Sequence, residues 1–234
     1  MLRDIRVELR RLANPAKAAI LRRFFKTGPG EYGEGDVFLG IQVPPLRRLA
    51  RTFRQLPISK AANLLAARCH EERLLGLLLL VQSYRDGDEA TRRQVYDLYL
   101  SCTDRINNWD LVDLSAPHIV GAHLARRSRG PLRRLAKSRS LWERRIAVVS
   151  TFHFIRQNEF GDTLRIAEIL LGDEEDLIRK ATGWMLREVG KRDLPALEAF
   201  LLRHGPDMPR TMLRYAIERL PEPRRQFYLR GRIA

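Results

Sequence analysis

Cysteine is scarce. The two present, Cys69 and Cys102, form neither a metal-ligand spacing nor a disulfide framework, and a reducing compartment suits them. The five histidines, His70, His118, His123, His153 and His204, are scattered without an HxxxH or HExxH pair, so no metal site is expected and each reads as a satisfied structural residue. There is no P-loop and no serine- or cysteine-nucleophile motif, so no cofactor is expected. The longest apolar run, Leu74 to Val81, is far too short to span a bilayer, and Met1 to Arg6 lacks the apolar stretch of a signal peptide. Strand-like alternation, interdomain linkers and low-complexity tracts are all missing. These absences predict a soluble intracellular protein: one all-α domain over residues 1–234, without a membrane partner.

Acidic residues are in short supply as well. Against 43 Lys and Arg stand 28 Asp and Glu, a net charge of +15. A surplus of that size favours a polyanionic partner, most commonly nucleic acid, which implies a cytoplasmic, nucleoid-associated protein. Biased genome composition is a competing source of arginine, since only six of the 43 are Lys. Bias alone, however, need not leave a net excess of cations.

What the chain has in abundance is helical periodicity. Counting from Arg73, matching segments begin at Asn108, Arg144, Arg179 and Arg214, a spacing of about 35 residues typical of helical solenoids. The fold expected is a right-handed solenoid of paired helices over residues 57–234, preceded by divergent helices and a Gly-rich loop over residues 1–56. In register, the slot after each start holds Leu74, Trp109, Arg145, Lys180 and Tyr215, and four residues on stand Leu78, Asp113, Val149, Trp184 and Arg219. The intervening slots are small or apolar, as helix packing requires. Equivalent residues of a solenoid line one wall, so Trp109, Asp113, Arg145, Lys180 and Trp184 are expected to converge on one patch.

The N-terminal part reads as a basic amphipathic helix over Asp4 to Leu12, then a helix opened by Asn14 as N-cap with Pro15 in the first turn and running to Lys26. Gly28, Gly30 and Gly33 match a dinucleotide fingerprint only literally, because a basic helix precedes them and no βαβ unit follows. Thr27 to Asp36 is better read as a long loop that covers a binding groove. Val37 to Pro45 leads into a helix over Leu46 to Arg51. Breaks fall at Asp86-Gly87-Asp88, Arg129-Gly130-Pro131, Gly172-Asp173, Lys191-Arg192-Asp193 and Gly205-Pro206, and Pro117 ends or kinks the segment carrying Trp109 and Asp113.

The chemistry open to these residues is narrow. Trp faces attract cations, Asp113 offers a fixed negative charge four residues from Trp109, and Arg145, Lys180 and Arg187 suit phosphates. Such a set fits a cationic group embedded in a polyanion, such as DNA carrying an alkylated, positively charged purine. Glycosidic cleavage builds positive charge on the deoxyribose, which a carboxylate stabilises while orienting water. A base already cationic leaves without a second, protonated carboxyl. A bland reading competes at each position: Trp in a helical repeat is ordinarily core, and Asp113 also fits a solvated surface position, or a local cap or pair with Arg145. Two non-enzymatic readings stand beside the enzyme, a solenoid that binds bent or damaged DNA without chemistry and a protein-binding scaffold, which the basic excess disfavours.

Phe38-Leu39-Gly40-Ile41-Gln42-Val43-Pro44, Asn108-Trp109-Asp110-Leu111-Val112-Asp113, Trp142 to Ala147 and Lys180 to Glu188 resemble, in order and spacing, the AlkD-like alkylpurine DNA glycosylases. The resemblance runs from about Phe24 to Arg192. It implies a HEAT-like repeat solenoid whose concave basic surface cradles duplex DNA, and hydrolytic release of N3- and N7-alkylated purines that leaves an abasic site for base excision repair, by a monomer needing no obligate protein partner. The residues matching the family's catalytic positions are Trp109, Asp113 and Trp184. Arg145 matches a phosphate-contacting arginine, Arg144, Lys180 and Arg187 extend that row, and Gln42 and Arg47 match contacts at the N-terminal end of the groove. In that family the lesion is not drawn into a pocket, unlike the usual base-flipping strategy. Phe24 stands where tyrosine is expected, and the Gly-rich loop is longer than in the best-known members. Both departures bear on substrate preference.

Overall fold

Asparagine, aspartate and proline start helices where the sequence places them. In the computed structural model, which describes residues 1–230, the Asn14 side chain accepts from the Lys17 amide at 3.0 Å and opens α2 (Pro15–Phe24), after α1 (Leu2–Leu12). Asp88 caps the helix after the Asp86-Gly87-Asp88 break and Asp193 the helix after Lys191-Arg192-Asp193, each accepting an amide proton in the first turn. The chain is all-helical among the described residues, apart from one isolated parallel bridge between Val37 and Cys69. It divides into two compact units, residues 1–119 and the chain from Val120 onward.

The first unit continues with α3 (Val43–Thr52), α4 (Ile58–Leu65), α5 (His70–Asp86), α6 (Glu89–Ser101) and the five-residue α7 (Trp109–Asp113). Helix α5 is its core. Leu74, Leu75, Gly76, Leu77, Leu79 and Leu80 are all buried, because α3, α4, α6 and α7 pack around it. Gly76 lets α4 approach, since a Cβ there would lie 3.0 Å from the Ala61 carbonyl. Helix α2 stops two residues short of the expected Lys26: Phe25 leaves the helix and Lys26 has a φ of 49°.

Helix α7 ends at Asp113, before Pro117, and a π-helical turn over Pro117–Gly121 then leads into the second unit. That unit holds α8 (Ala122–Leu124), α9 (Gly130–Ala136), α10 (Leu141–Ser150), α11 (Phe152–Ile155), α12 (Gly161–Ile169), α13 (Asp176–Gly190), α14 (Leu194–His204), α15 (Arg210–Ala216) and α16 (Glu222–Leu229). Helix α13 is its centre, packed on α10, α12, α14 and α15. At Gly183 a Cβ would stand 2.4 Å from the Met212 carbonyl, so α13 and α15 meet backbone to backbone. Leu186, Leu197, Phe200, Met208, Met212 and Leu213 fill the space around them.

The repeat visible in the sequence has a physical counterpart at its starting slot. Arg73 Nη1 donates to the Ala67 and Arg68 carbonyls at 3.2 and 3.1 Å. Arg144 Nη1 donates to the Ser138 and Arg139 carbonyls at 3.1 and 3.0 Å, and Arg179 Nε to the Asp173 carbonyl at 2.7 Å. In each case a guanidinium reaches back to the turn that precedes its own helix and satisfies carbonyls that no helix pairs. Asn108 takes the same slot in α7 but works differently: its side chain accepts from the Trp109 amide at 2.8 Å.

Candidate functional site

Five residues are too few for a helix to stand alone, so α7 exists only because its surroundings hold it. Asn108 caps it. Asp110, buried, accepts from His70 Nε2 at 2.8 Å and from the Leu111 amide at 2.8 Å. On its other nitrogen His70 meets Asp36 at 3.2 Å, and Arg73 Nη2 donates to the same Asp36 at 2.6 Å. Burial, the largest single influence on His70, opposes its charge, but the two carboxylates outweigh it and raise its pKa to about 9. Burial likewise works to raise the Asp36 carboxyl, and its bonds to His70 and Arg73 overcome that and hold it low. His70 is therefore an imidazolium donating to both aspartates at neutral pH, and it fastens α7 to α5 and to the end of the Gly-rich loop.

The same elements build an aromatic stack. Trp109 lies on Phe25 at 5.0 Å between ring centroids, Phe25 on Phe38 at 5.2 Å, and Phe38 on His70 at 4.5 Å, while Phe24 meets Trp109 edge-on at 5.7 Å. The indole Nε1 donates to the Tyr32 hydroxyl at 3.2 Å. Thr27 to Asp36 thus reaches the site by holding the Trp109 edge. Its own shape is set by Glu31 and Glu34, whose carboxylates accept from the Gly28 and Gly30 amides. At Gly33 a Cβ would come within 2.4 Å of the Phe25 carbonyl.

These groups open onto a cleft of about 490 Å³. Phe24, Phe25, Phe38 and Trp109 give it apolar walls, and Asp113, one turn along α7 from Trp109, presents a carboxylate to it. Asp113 is half-buried, and after burial its charge is a further cause that pushes the Tyr99 phenol up. Gln42, exposed at the start of α3, lines the same cleft, and Arg47 stands exposed further along that helix. The Phe38-to-Pro44 segment is explained from beneath. Glu71 accepts from the amides of Leu39, Gly40 and Ile41 at 2.8 to 3.1 Å. Gly40 takes a φ of 84°, where a Cβ would strike the Asn14 carbonyl.

The structure brings Trp109, Asp113 and Gln42 to one cleft of the first unit; Arg47 lies in that unit outside the cleft lining, and the other expected residues lie in the second. Trp184 is half-buried on α13, 5.9 Å from the Phe152 ring. Arg145 is buried and donates to the Leu177 carbonyl at 2.6 Å. Lys180 pairs with Asp176 at 2.6 Å, and Arg187 with Glu218 and Glu188. Arg144, expected on DNA, has its guanidinium occupied by Asp173 at 2.6 Å and by the two carbonyls of its repeat slot. No set of three or more His, Cys, Asp or Glu side chains suited to a metal ion occurs among the described residues, nor any helix long and apolar enough to cross a membrane.

Sequence reasoning missed Tyr32, Phe25 and the Asp36–His70–Asp110 chain. Tyr32 carried one signal, an aromatic alone among glycines. Asp36, His70 and Asp110 come together across 34 and 40 residues of chain, and Phe25 meets Trp109 from a different stretch again, separations that no local spacing encodes.

None of the curated proteins compared with the chain matches it. Among solved structures, one described as a predicted DNA alkylation repair enzyme from Enterococcus faecalis is similar, with a TM-score of 0.68 over 90% of this chain and 97% of that one, at 18% identity, a likeness of fold. The sequence model of the DNA alkylation repair enzyme family matches residues 5–220, nearly the whole length. The chain belongs to that family.

Proposed function

We propose that this member is a monofunctional DNA glycosylase that hydrolyses the N-glycosidic bond of cationic N3- and N7-alkylated purines in duplex DNA, as a monomer without metal or cofactor. The observation that carries this reading is the cleft in which Trp109 and Asp113, fixed on one short helix, face the same space. The indole offers an electron-rich face to a cationic sugar or base. The Asp113 carboxylate stabilises the oxocarbenium ion as the bond lengthens and orients the attacking water. The departing purine takes the bonding electrons and neutralises its own charge, so no acid is required. Restriction to cationic lesions follows, since none of the assigned residues protonates a neutral leaving base.

Trp184 is assigned a catalytic contact of the same kind as Trp109, and Arg145, Lys180, Arg187, Gln42 and Arg47 are assigned contacts to DNA. Lys180, which pairs with Asp176, suits phosphate better than Schiff-base chemistry; strand cleavage is therefore not expected. The test is incubation with methylated duplex DNA and chromatography of the freed bases. Asp113→Asn is expected to slow release of 7-methylguanine by roughly 10²-fold or more while duplex affinity stays near wild type. Equal release by the variant removes Asp113 from the chemistry. Tight binding with no release by the wild-type protein leaves a DNA-binding module.

A further inference from the structure

From Leu114 to Trp142 the chain carries seven Lys and Arg and no Asp or Glu. Four cations, three from that stretch and one from α12, meet in the second unit. Arg133, Arg134 and Lys137 of α9 and Arg165 of α12 line a cleft of about 380 Å³, with Gly130 and Ile169 as its remaining lining. Arg133 and Lys137 share a helix face by their spacing of four. Arg134 belongs a third of a turn away, yet its Nη1 lies 3.8 Å from the point where a Gly130 side chain would begin, and Arg133 Nη2 lies 3.9 Å from it. Both guanidiniums reach the same spot over a residue that has no side chain to occupy it.

All four side chains are exposed, and none has an ion-pair or hydrogen-bond partner among the described residues. The carboxylates nearby are taken: Asp162 and Glu159 by Arg129, and Glu168 by Arg203 and His204. Like charges this close repel within the Debye length of about 8 Å at physiological salt, and an anion in the cleft relieves that repulsion. The donor set identifies the anion. Three guanidiniums and an ammonium suit phosphate oxygens. No aromatic side chain lines the cleft to stack an unpaired base, and no carboxylate or amide is there to read base edges, so the fit is to the backbone of a duplex.

We propose that the cleft between α9 and α12 is a second site for the phosphodiester backbone of duplex DNA, separate from the Trp109 cleft and built from helices other than those carrying Arg145, Lys180 and Trp184. It contributes affinity independent of sequence and of damage, and it holds whether or not the protein cleaves glycosidic bonds.

The experiment uses the full chain and undamaged duplex DNA, with affinity measured across a salt series. The variant Arg133→Gln, Arg134→Gln, Lys137→Gln, Arg165→Gln is expected to lower the slope of log K against log salt by about 3 to 4, near 0.9 for each phosphate no longer neutralised. The charge-keeping variant Arg133→Lys, Arg134→Lys, Arg165→Lys is expected to retain the wild-type slope. A wild-type slope in the folded Gln variant overturns the proposal, as does an equal loss on single-stranded DNA. If the fourfold change prevents folding, Arg133→Gln with Lys137→Gln serves instead, with an expected drop of about 2 in the slope and the same overturning result. Base release is read separately. Its absence from the wild-type protein counts against the glycosylase reading alone and leaves this slope unaffected.

Discussion

Replacing His70 by Gln tests whether a buried charge holds α7, the helix that carries Trp109 and Asp113. In the native protein His70 is 2% exposed and bonded to Asp36 and Asp110, with its pKa raised to about 9, against 6.5 in an unfolded chain. A group whose pKa is raised by folding contributes its full stabilisation below the unfolded value and loses it as pH rises through the folded one. At 1.36 kcal/mol per unit, the protonation of His70 contributes about 3 kcal/mol near pH 6, about 2 kcal/mol near pH 7.5 and almost nothing by about pH 9.5. Asp36 acts in the opposite range: its lowered pKa gives stability above the unfolded carboxylate value, lost only in acid.

Urea unfolding of wild type and His70→Gln at those three pH values isolates the effect, because groups that His70 does not touch cancel in the difference and Asp36 keeps its bond to Arg73 in both. Trp109 is the natural reporter for the first unit once Trp142 and Trp184 are replaced by Phe in both proteins. Cys69, whose burial pushes its thiol up to about 12, does not titrate in this window. The wild-type advantage is expected to shrink by about 3 kcal/mol between pH 6 and pH 9.5. A constant advantage across that range refutes the reasoning: His70 would then be a neutral hydrogen-bonding residue, and the aspartates would hold α7 without a charge between them.

How much of this was written in the sequence depends on the distance between cause and effect along the chain. Asn14 with Pro15, and the turn residues at Asp86-Gly87-Asp88 and Lys191-Arg192-Asp193, act within a few residues and were legible as helix starts and breaks. The i, i+4 relation of Trp109 and Asp113 was legible for the same reason, and both do line one cleft. The periodic arginines were legible as a pattern but not as a role. Spacing gave no sign that Arg144 turns back onto Ser138, Arg139 and Asp173, because a guanidinium at a repeat slot serves equally as clamp or as anion contact. Glu71 gathers three amides from residues 39–41 about 30 positions earlier, and the Trp109, Phe25, Phe38 and His70 rings come from four separate stretches. Such contacts are consequences of packing, and a hydrophobic pattern records only that packing occurs.

Two further experiments separate holding from acting. Tyr32→Phe keeps the ring and removes the hydroxyl that accepts from the Trp109 indole; a loss of about 1 kcal/mol is expected in the rate step, several-fold in kcat with KM little changed, together with altered Trp109 emission. Unchanged turnover and emission would make the Gly-rich loop mere cover. Arg144→Ala and Arg47→Ala make the sharper contrast, since the sequence leads one to expect both residues on DNA. The first strips donors from two carbonyls and leaves the Asp173 carboxylate, 7% exposed, with the Glu175 amide but no ion-pair partner; a stability loss of about 3 kcal/mol is expected, because a buried charge without its counter-ion costs more than the pair contributes. The second removes an exposed guanidinium that no residue of the protein engages among those described, so the melting temperature should hold while the DNA salt slope falls by about 0.9. The reverse pattern, a stable Arg144→Ala with a reduced slope beside a destabilised Arg47→Ala, would mean that the repeat's starting arginines face the nucleic acid after all. Their bonds to the preceding turn would then be what the side chains do only while no phosphate is present.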